Sequence, residues 1–534
     1  MRAPFVHGAT TFLALGVLTA ATETQRIDPD SWPLNTSFAD LPSLKLHVSY
    51  PRRTVKVHGA SEFDVFANPV VDSTEGNRVR YDGYATFLDG HAQVTYALVN
   101  GAPFMVTRNR VSKETSVHCM RTSPLPFNEI LPVLNDATPI ASASIGQERI
   151  VCKSGQLFRA TFVGIQYAIC ASGGSGFTIV SSDVTIDGVL LDTRVQMPEI
   201  KWSHRSKCGE RAKATQLTPT ALALLRGREV PESTTRLLRE ASHMSMAAST
   251  CGCKSKSRPC LFFHGLGNEK DEPGVKDSSR HFGWNFIQGH APCCTTIKYA
   301  ALNTVDYPWT SAELQDKVCD RSLSMAATSN SYLKIIEDTI IVTHSMGGLM
   351  FAGALANRKC RLAKSSTWIA LSAPMIGSMS SDYLIDYCDG KAQNFFTDLM
   401  FGGKCPVNAS IKSVVYQYEK YCDNQLQAAY KAAQESYRQN VYAAMCSSSY
   451  VGNISKFQPK YMMGGHFIPH KSPENDGLVE FLSCAGGIDP ANFGPTPQNK
   501  FYRCELNHAD TAFKTGDGLF KTTVRPITWF ECLL

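Results

Sequence analysis

Ser345 stands in Thr343-His344-Ser345-Met346-Gly347-Gly348, between an apolar β-branched run and the small-residue run Leu349-Met350-Phe351-Ala352-Gly353-Ala354. Strand, sharp turn and helix are what an activated serine needs. The turn exposes the hydroxyl, and small neighbours let strand and helix approach closely. The start of the helix also aims backbone N–H groups at developing negative charge. The usual pattern is Gly-x-Ser-x-Gly, and here Thr343 takes the first glycine position. The bland alternative is a chance serine in a glycine-rich turn.

A serine of this kind needs a base, an acid and an oxyanion hole, in a fixed chain order. Upstream, Leu261-Phe262-Phe263-His264-Gly265-Leu266-Gly267 reads as a strand ending in an oxyanion loop. The two donors are expected at the backbone N–H groups of Leu266 and of Met346, the residue after the nucleophile. His508, in Leu506-Asn507-His508-Ala509-Asp510, comes last and is the expected general base, with His466 and His470 as competitors. Asp476, in Glu474-Asn475-Asp476-Gly477-Leu478-Val479, is the expected acid that orients the His508 ring. Asp382, Asp386 and Glu474 are its rivals. Asp510 sits close to His508 and is expected only to shape its loop. His344 is expected to pack beneath the sheet edge, and His264 to brace the oxyanion loop through a hydrogen bond.

These residues need a scaffold. Leu261 to Phe263, Thr339 to Thr343 and Ser366 to Leu371 read as short buried strands, with helical material around 310–336 and after Ser345. Strands alternating with helices predict a mostly parallel sheet flanked by helices. Residues 380–455 interrupt that rhythm with helical material that includes Tyr416 to Met445. This insertion reads either as a lid or as a packing excursion. Tyr461-Met462-Met463 is expected to resume the sheet. Residues 40–205 read as β-rich, with strands at Phe87 to Val99 and Phe162 to Cys170 and a hairpin from Phe177 to Val180 and Val184 to Leu191. Ser172-Gly173-Gly174-Ser175-Gly176 is a turn without phosphate-loop spacing. Thr218-Pro219 caps a short helix through Leu225, a second helix is expected at Thr234 to Ala241, and 206–258 reads as a linker or helical arm.

The bulk numbers set the context. A chain of 534 residues predicts more than one domain. A net charge of +6, spread along the chain in short runs such as Arg52-Arg53 and Lys254-Ser255-Lys256, argues against nucleic acid. Met1-Arg2, the apolar run Phe12 to Leu18 and Thr19-Ala20-Ala21 have the form of a signal peptide over 1–21, too short for a span of ~20 residues. The 18 Cys suit disulfides in an exported chain better than metal, and Cys251, Cys253 and Cys260 lack paired zinc spacing. Asn35-Thr36-Ser37, Asn408-Ala409-Ser410 and Asn453-Ile454-Ser455 are glycosylation triplets.

The oxyanion loop, the serine turn, Ser372-Ala373-Pro374-Met375-Ile376-Gly377-Ser378, the acid loop and the histidine loop together resemble the lipase and esterase branch of the α/β-hydrolase superfamily. The resemblance covers about half the chain, from residue 258 onward. It implies an α/β fold: an α/β-hydrolase catalytic domain over 259–534 with a mostly parallel central sheet and a helical insertion; the N-terminal β-rich domain over 22–205 lies outside the resemblance. It implies a serine hydrolase acting on a lipid or small-molecule ester through an acyl-enzyme, in transient contact with a lipid surface and with no cofactor, and the signal form and the cysteine content fit a secreted one. Thioester cleavage, acyl transfer and a non-catalytic binding or structural role on the same scaffold are the alternatives.

Overall fold

The computed structural model describes residues 38–50, 55–72, 78–120, 123, 125, 127, 130–153, 156–162, 165–201, 211–230, 242–246, 251–390, 405–518 and 521–534. The expected signal peptide, Asn35-Thr36-Ser37, Arg52-Arg53 and the helix at Thr234 to Ala241 lie outside the described residues. Leu41–Leu534 forms one compact unit, and the described part before it is the turn Phe38–Asp40.

The parallel sheet carries the candidate site. Its strands are β1 (Arg258–Phe263), β2 (Cys294–Ala300), β3 (Ile340–His344), β4 (Thr367–Leu371), β5 (Val441–Ser447), β6 (Phe493–Gly494) and β7 (Phe501–Cys504). They run in the order β2-β1-β3-β4-β5-β7-β6, and every pairing is parallel. Every residue of β3 and of β4 is buried, as a strand covered on both faces must be. Alternation divides the side chains between two cores. Leu261, Phe263, Ile341, Trp368 and Ala370 enter one; Cys260, Phe262, Ile340, Val342, Ile369 and Leu371 enter the other.

Helices cover both faces. The first core takes α1 (Ala312–Leu323), α2 (Met346–Ala356) and α4 (Asn424–Asn440), and the second takes the C-terminal α7 (Pro526–Cys532). Between them in the chain are α3 (Met379–Cys388), α5 (Gln458–Phe467) and α6 (Phe481–Ala485).

Three expectations change here. Tyr461-Met462-Met463 does not resume the sheet; it lies on α5. The sheet resumes at β5, inside the stretch read as helical to Met445, because its apolar run is too short to separate strand from helix by period alone. Of the 380–455 insertion, α4 buries Tyr430, Ala433 and Tyr437 in the core beside α2, which makes it a flank of the sheet.

The N-terminal region is a twelve-stranded sheet. Its main path is an antiparallel succession from Thr115–Cys119 through Ser43–Ser49 to Leu157–Phe162 and Thr138–Pro139. The expected strand at 87–99 is a hairpin of Arg78–Asp89 and Ala92–Val99 that turns at Gly90 and His91. The expected strand at 162–170 is likewise divided between Leu157–Phe162 and Ile165–Ala171, whereas Phe177–Val180 and Thr185–Leu191 pair as expected. Thr218 caps the helix Pro219–Leu225, its hydroxyl accepting from the Ala221 N–H. Of 206–258, Thr215–Gln216 pairs with Arg78–Asp89 and His243–Met246 adds in parallel to Ser142–Ile145, whereas 251–258 leads into β1 and is tied by disulfides to the parallel-sheet region. Contacts also link the two sheets' regions. Arg525 pairs with Asp183, and Tyr96 Oη donates to Gln458 Oε1 at 2.8 Å.

Seven disulfides occur among the described residues. Cys251, Cys253 and Cys260 bond Cys532, Cys293 and Cys294. Among the described residues no helix is long and apolar enough to cross a membrane. Asn453 is buried and its Nδ2 donates to Thr515 Oγ1 and Gly516 O, so this triplet is closed to glycan attachment in the folded chain.

Candidate active site

The strand order reverses at β1: β2 follows on one side and β3 lies on the other. Ligands of open parallel sheets bind beyond the carboxyl ends of strands at such a switch point. Both key segments lie there. Phe263 ends β1 and leads into His264-Gly265-Leu266, and His344 ends β3 and leads into Ser345.

Ser345 has φ 56° and ψ −134°, a left-handed conformation that a side-chain-bearing residue adopts only where its surroundings enforce it. The fixing contacts are local. Its N–H donates to Leu371 O at 2.9 Å, its carbonyl accepts from Gly348 N at 2.9 Å, and Met346 opens α2. A Cβ on Gly265 would lie 2.5 Å from Ser345 Cβ and 2.8 Å from its Oγ, so only glycine lets the loop after β1 come this close. A Cβ on Gly347 would lie 2.7 Å from the carbonyl oxygens of Phe263 and of His264. Thr343 serves the sheet: its Oγ1 accepts from Trp368 Nε1 at 2.9 Å, a task glycine could not perform.

His508 and Asp476 are in direct contact. His508 Nδ1 donates to Asp476 Oδ2 at 2.7 Å, and the His508 N–H donates to Asp476 O at 2.9 Å. In the neutral ring Nε2 then keeps the lone pair that general-base chemistry uses. Asp476 Oδ1 accepts from the N–H groups of Val479 (2.7 Å) and Leu478 (3.0 Å). Burial alone would raise the Asp476 pKa. The His508 charge and hydrogen bond, with those two N–H groups, outweigh it and hold the carboxyl below its ordinary value.

Four of the rivals are occupied elsewhere, and His466 is exposed on α5 with its ring against Phe467. Asp382 accepts from Tyr416 N, and burial pushes it up to about 6. Asp386 pairs with Lys420 and Tyr421, and Glu474 pairs with Arg503. His470 bonds Glu480 at 2.7 Å. Asp510 shapes the histidine loop as expected, accepting from Asn507 N, Asn453 N and Thr515 Oγ1; burial pushes it up to about 7.

Two further histidines hold the loops. His264 Nε2 accepts from Leu302 N at 3.1 Å, so its Nδ1 carries the proton and donates to Gly265 O at 2.8 Å. Thr304 Oγ1 donates to the same carbonyl. Burial lowers the His264 pKa to about 4, which keeps the ring neutral. His344 does more than pack. Its ring lies 4.6 Å from that of His508, and its Nε2 reaches His508 O. His281, unremarked in the sequence, stacks on His264 at 4.4 Å. Nothing local in the sequence signals that contact, which joins two separate loops.

An apolar cluster adjoins the histidine. Met379, Tyr383 and Ile468 are its buried members, with Tyr461 and Leu478 packed against them, and the Tyr461 ring lies 6.3 Å from that of His508.

No protein-family model matches the sequence, and no curated protein matches it. Among solved structures the chain is similar to a lipase-esterase related protein from Clostridium acetobutylicum, at 13% identity over 37% of this chain and 76% of that one, with a TM-score of 0.21. It is also similar to a metagenomic carboxyl esterase, at 12% identity over 55% and 78% with a TM-score of 0.27. A serine hydrolase involved in carbazole degradation aligns at 12% identity over 38% and 74%, with a TM-score of 0.18. Likenesses this weak bear no weight, and the fold and the chemistry of the site rest on the geometry of the chain itself.

Proposed function

We propose that the chain is a secreted serine hydrolase of carboxylic esters, of the lipase and esterase type within the α/β-hydrolase superfamily. Ser345 is the nucleophile. His508 takes its proton through Nε2 and returns it to the leaving alcohol. Asp476 holds the ring and stabilises the imidazolium without taking the proton. The N–H groups of Leu266 and Met346 receive the oxyanion. Acylation of Ser345 followed by attack of water completes the cycle without a cofactor.

The observation that carries this reading is the 2.7 Å His508–Asp476 bond, taken together with a serine held at positive φ at the switch point of a parallel sheet. The apolar cluster beside His508 suits an acyl chain of a lipid or small-molecule ester. Disulfides distributed along the chain suit an oxidising compartment.

The test combines a serine-reactive phosphonate with p-nitrophenyl esters of increasing chain length. Wild type is expected to label and to hydrolyse them, whereas folded Ser345→Ala does neither and folded His508→Ala has lost turnover. A folded wild type that neither labels nor turns over any ester, with detergent present, overturns the reading in favour of a binding scaffold. Faster hydrolysis of a thioester than of the matching oxygen ester would move the assignment to thioester cleavage, and turnover with an alcohol acceptor that exceeds turnover with water would move it to acyl transfer.

A further inference from the structure

Four cations gather beside the catalytic loops. Lys456 and Lys514 place their Nζ atoms 5.4 and 5.6 Å from the centroid of one ring, that of Phe457. Lys460, four residues after Lys456 in the chain, lies on α5 and is half-buried, as is Lys514. Arg280 completes the group, its Nε 3.4 Å from Nε2 of His281.

The group is tied to the reaction centre from two sides. Lys514 belongs to the loop that carries His508, its N–H donating to Ala509 O. Its Cα backs onto Gly283, where a Cβ would lie 2.9 Å from it. Arg280 adjoins His281, which stacks on His264 at the base of the oxyanion loop.

Among the described residues none of the four cations makes an ion pair. Burial, then Lys460, Lys456 and Arg280, hold the Lys514 ammonium below the usual lysine range, and burial does the same for Lys460. Half-buried ammonium groups that repel one another and lack a carboxylate are costly to keep, so a bound anion would relieve them.

We infer that Lys456, Lys460, Lys514 and Arg280 form an anion subsite, and that the ester cleaved at Ser345 carries a phosphate-type group that docks there. The inference rests on the proposed ester hydrolysis. Tyr461 faces the apolar cluster from the same helix that carries Lys460, so acyl chain and anion would be received by neighbouring residues.

The test compares dihexanoylglycerol with its phosphate, both as dispersed monomers, in wild type and in Lys460→Gln with Lys514→Gln. Wild type is expected to favour the phosphate by about tenfold in kcat/KM, with the ratio falling as salt is added and collapsing towards one in the double variant. Equal rates on both esters, or a preference that the double variant keeps, overturn the anion subsite and leave ester hydrolysis standing. A preference that appears only on vesicles containing the phosphate lipid also overturns it, in favour of attraction to a charged surface. Absence of turnover on either ester counts against the hydrolase reading. The subsite is then read alone by calorimetric titration with inorganic phosphate, where binding lost in the double variant supports it and no binding to wild type overturns it.

Discussion

His344, the residue before Ser345, donates from Nε2 to the main-chain carbonyl of His508 at 3.0 Å. A carbonyl can only accept, so this ring carries its proton on Nε2, and Thr511 Oγ1 donates to the same oxygen at 3.1 Å. The strand that leads into Ser345 therefore holds the loop that carries His508. His344→Ala is expected to lower kcat by about 10- to 100-fold through misplacement of His508, with KM little changed and phosphonate labelling of Ser345 slowed. A kcat within twofold of wild type in the folded variant would show that the other contacts of the loop suffice.

Asp476→Asn tests the tautomer. An amide at this position can present its NH2 to the ring and favour the wrong neutral form, so kcat is expected to fall about 10^4-fold while the fold persists. Glu474→Gln and Asp382→Asn, in the rivals, should each stay within about tenfold of wild type. A larger loss in either than in Asp476→Asn would transfer the role of acid.

Gly265→Ala adds a methyl 2.5 Å from Ser345 Cβ. The loop must retreat, taking with it the Leu266 N–H assigned to the oxyanion. A fall of about 100- to 1000-fold in kcat is expected, with the folded protein otherwise intact by circular dichroism. Full activity would remove Leu266 from the oxyanion hole.

The buried histidines should cost stability on acidification, against the opposite contribution of Asp382 and Asp510, whose raised pKa values favour the folded state as pH falls. His264 and His344 are buried with depressed pKa values, His264 to about 4, and desolvation is the main cause in both. The unfolded chain protonates them near ~6.5, so it binds more protons than the native state below that pH. The contribution is complete above that pH and is lost as pH falls towards the folded value, at up to about 1.4 kcal/mol per pH unit for each ring. Urea midpoints at pH 7.5 and pH 5 measure it, and His344→Phe should flatten the slope. An unchanged slope would mean that another group dominates the acid limb.

The Cys251–Cys532 disulfide closes a separation of 281 residues and fastens the segment entering β1 to the end of α7. Replacing both cysteines with serine is expected to cost about 3–4 kcal/mol, read as a lower denaturant midpoint. No shift would show that the unfolded chain is already restrained by the other disulfides.

The sequence by itself determined the local pieces. An apolar run, a serine and two glycines specify strand, elbow and helix, because backbone sterics and side-chain size act over a few residues. The same local logic placed the His264-Gly265-Leu266 loop after β1 and the cap at Thr218. It failed where two structures share one composition. Val441–Ser447 is too short for its period to declare a strand, and Tyr461-Met462-Met463 is apolar enough to be read as one although it lies on a helix. Only the tertiary structure decided which long-range partners meet: Asp476 with His508 in place of Asp382 or Glu474, His344 beneath the histidine loop, and Lys456 with Lys514 at one aromatic ring. The physical reason is that a hydrogen bond or a shared charge between residues tens of positions apart leaves no mark on either local segment. It exists only once the order of the strands has brought their carboxyl ends to one edge of the sheet.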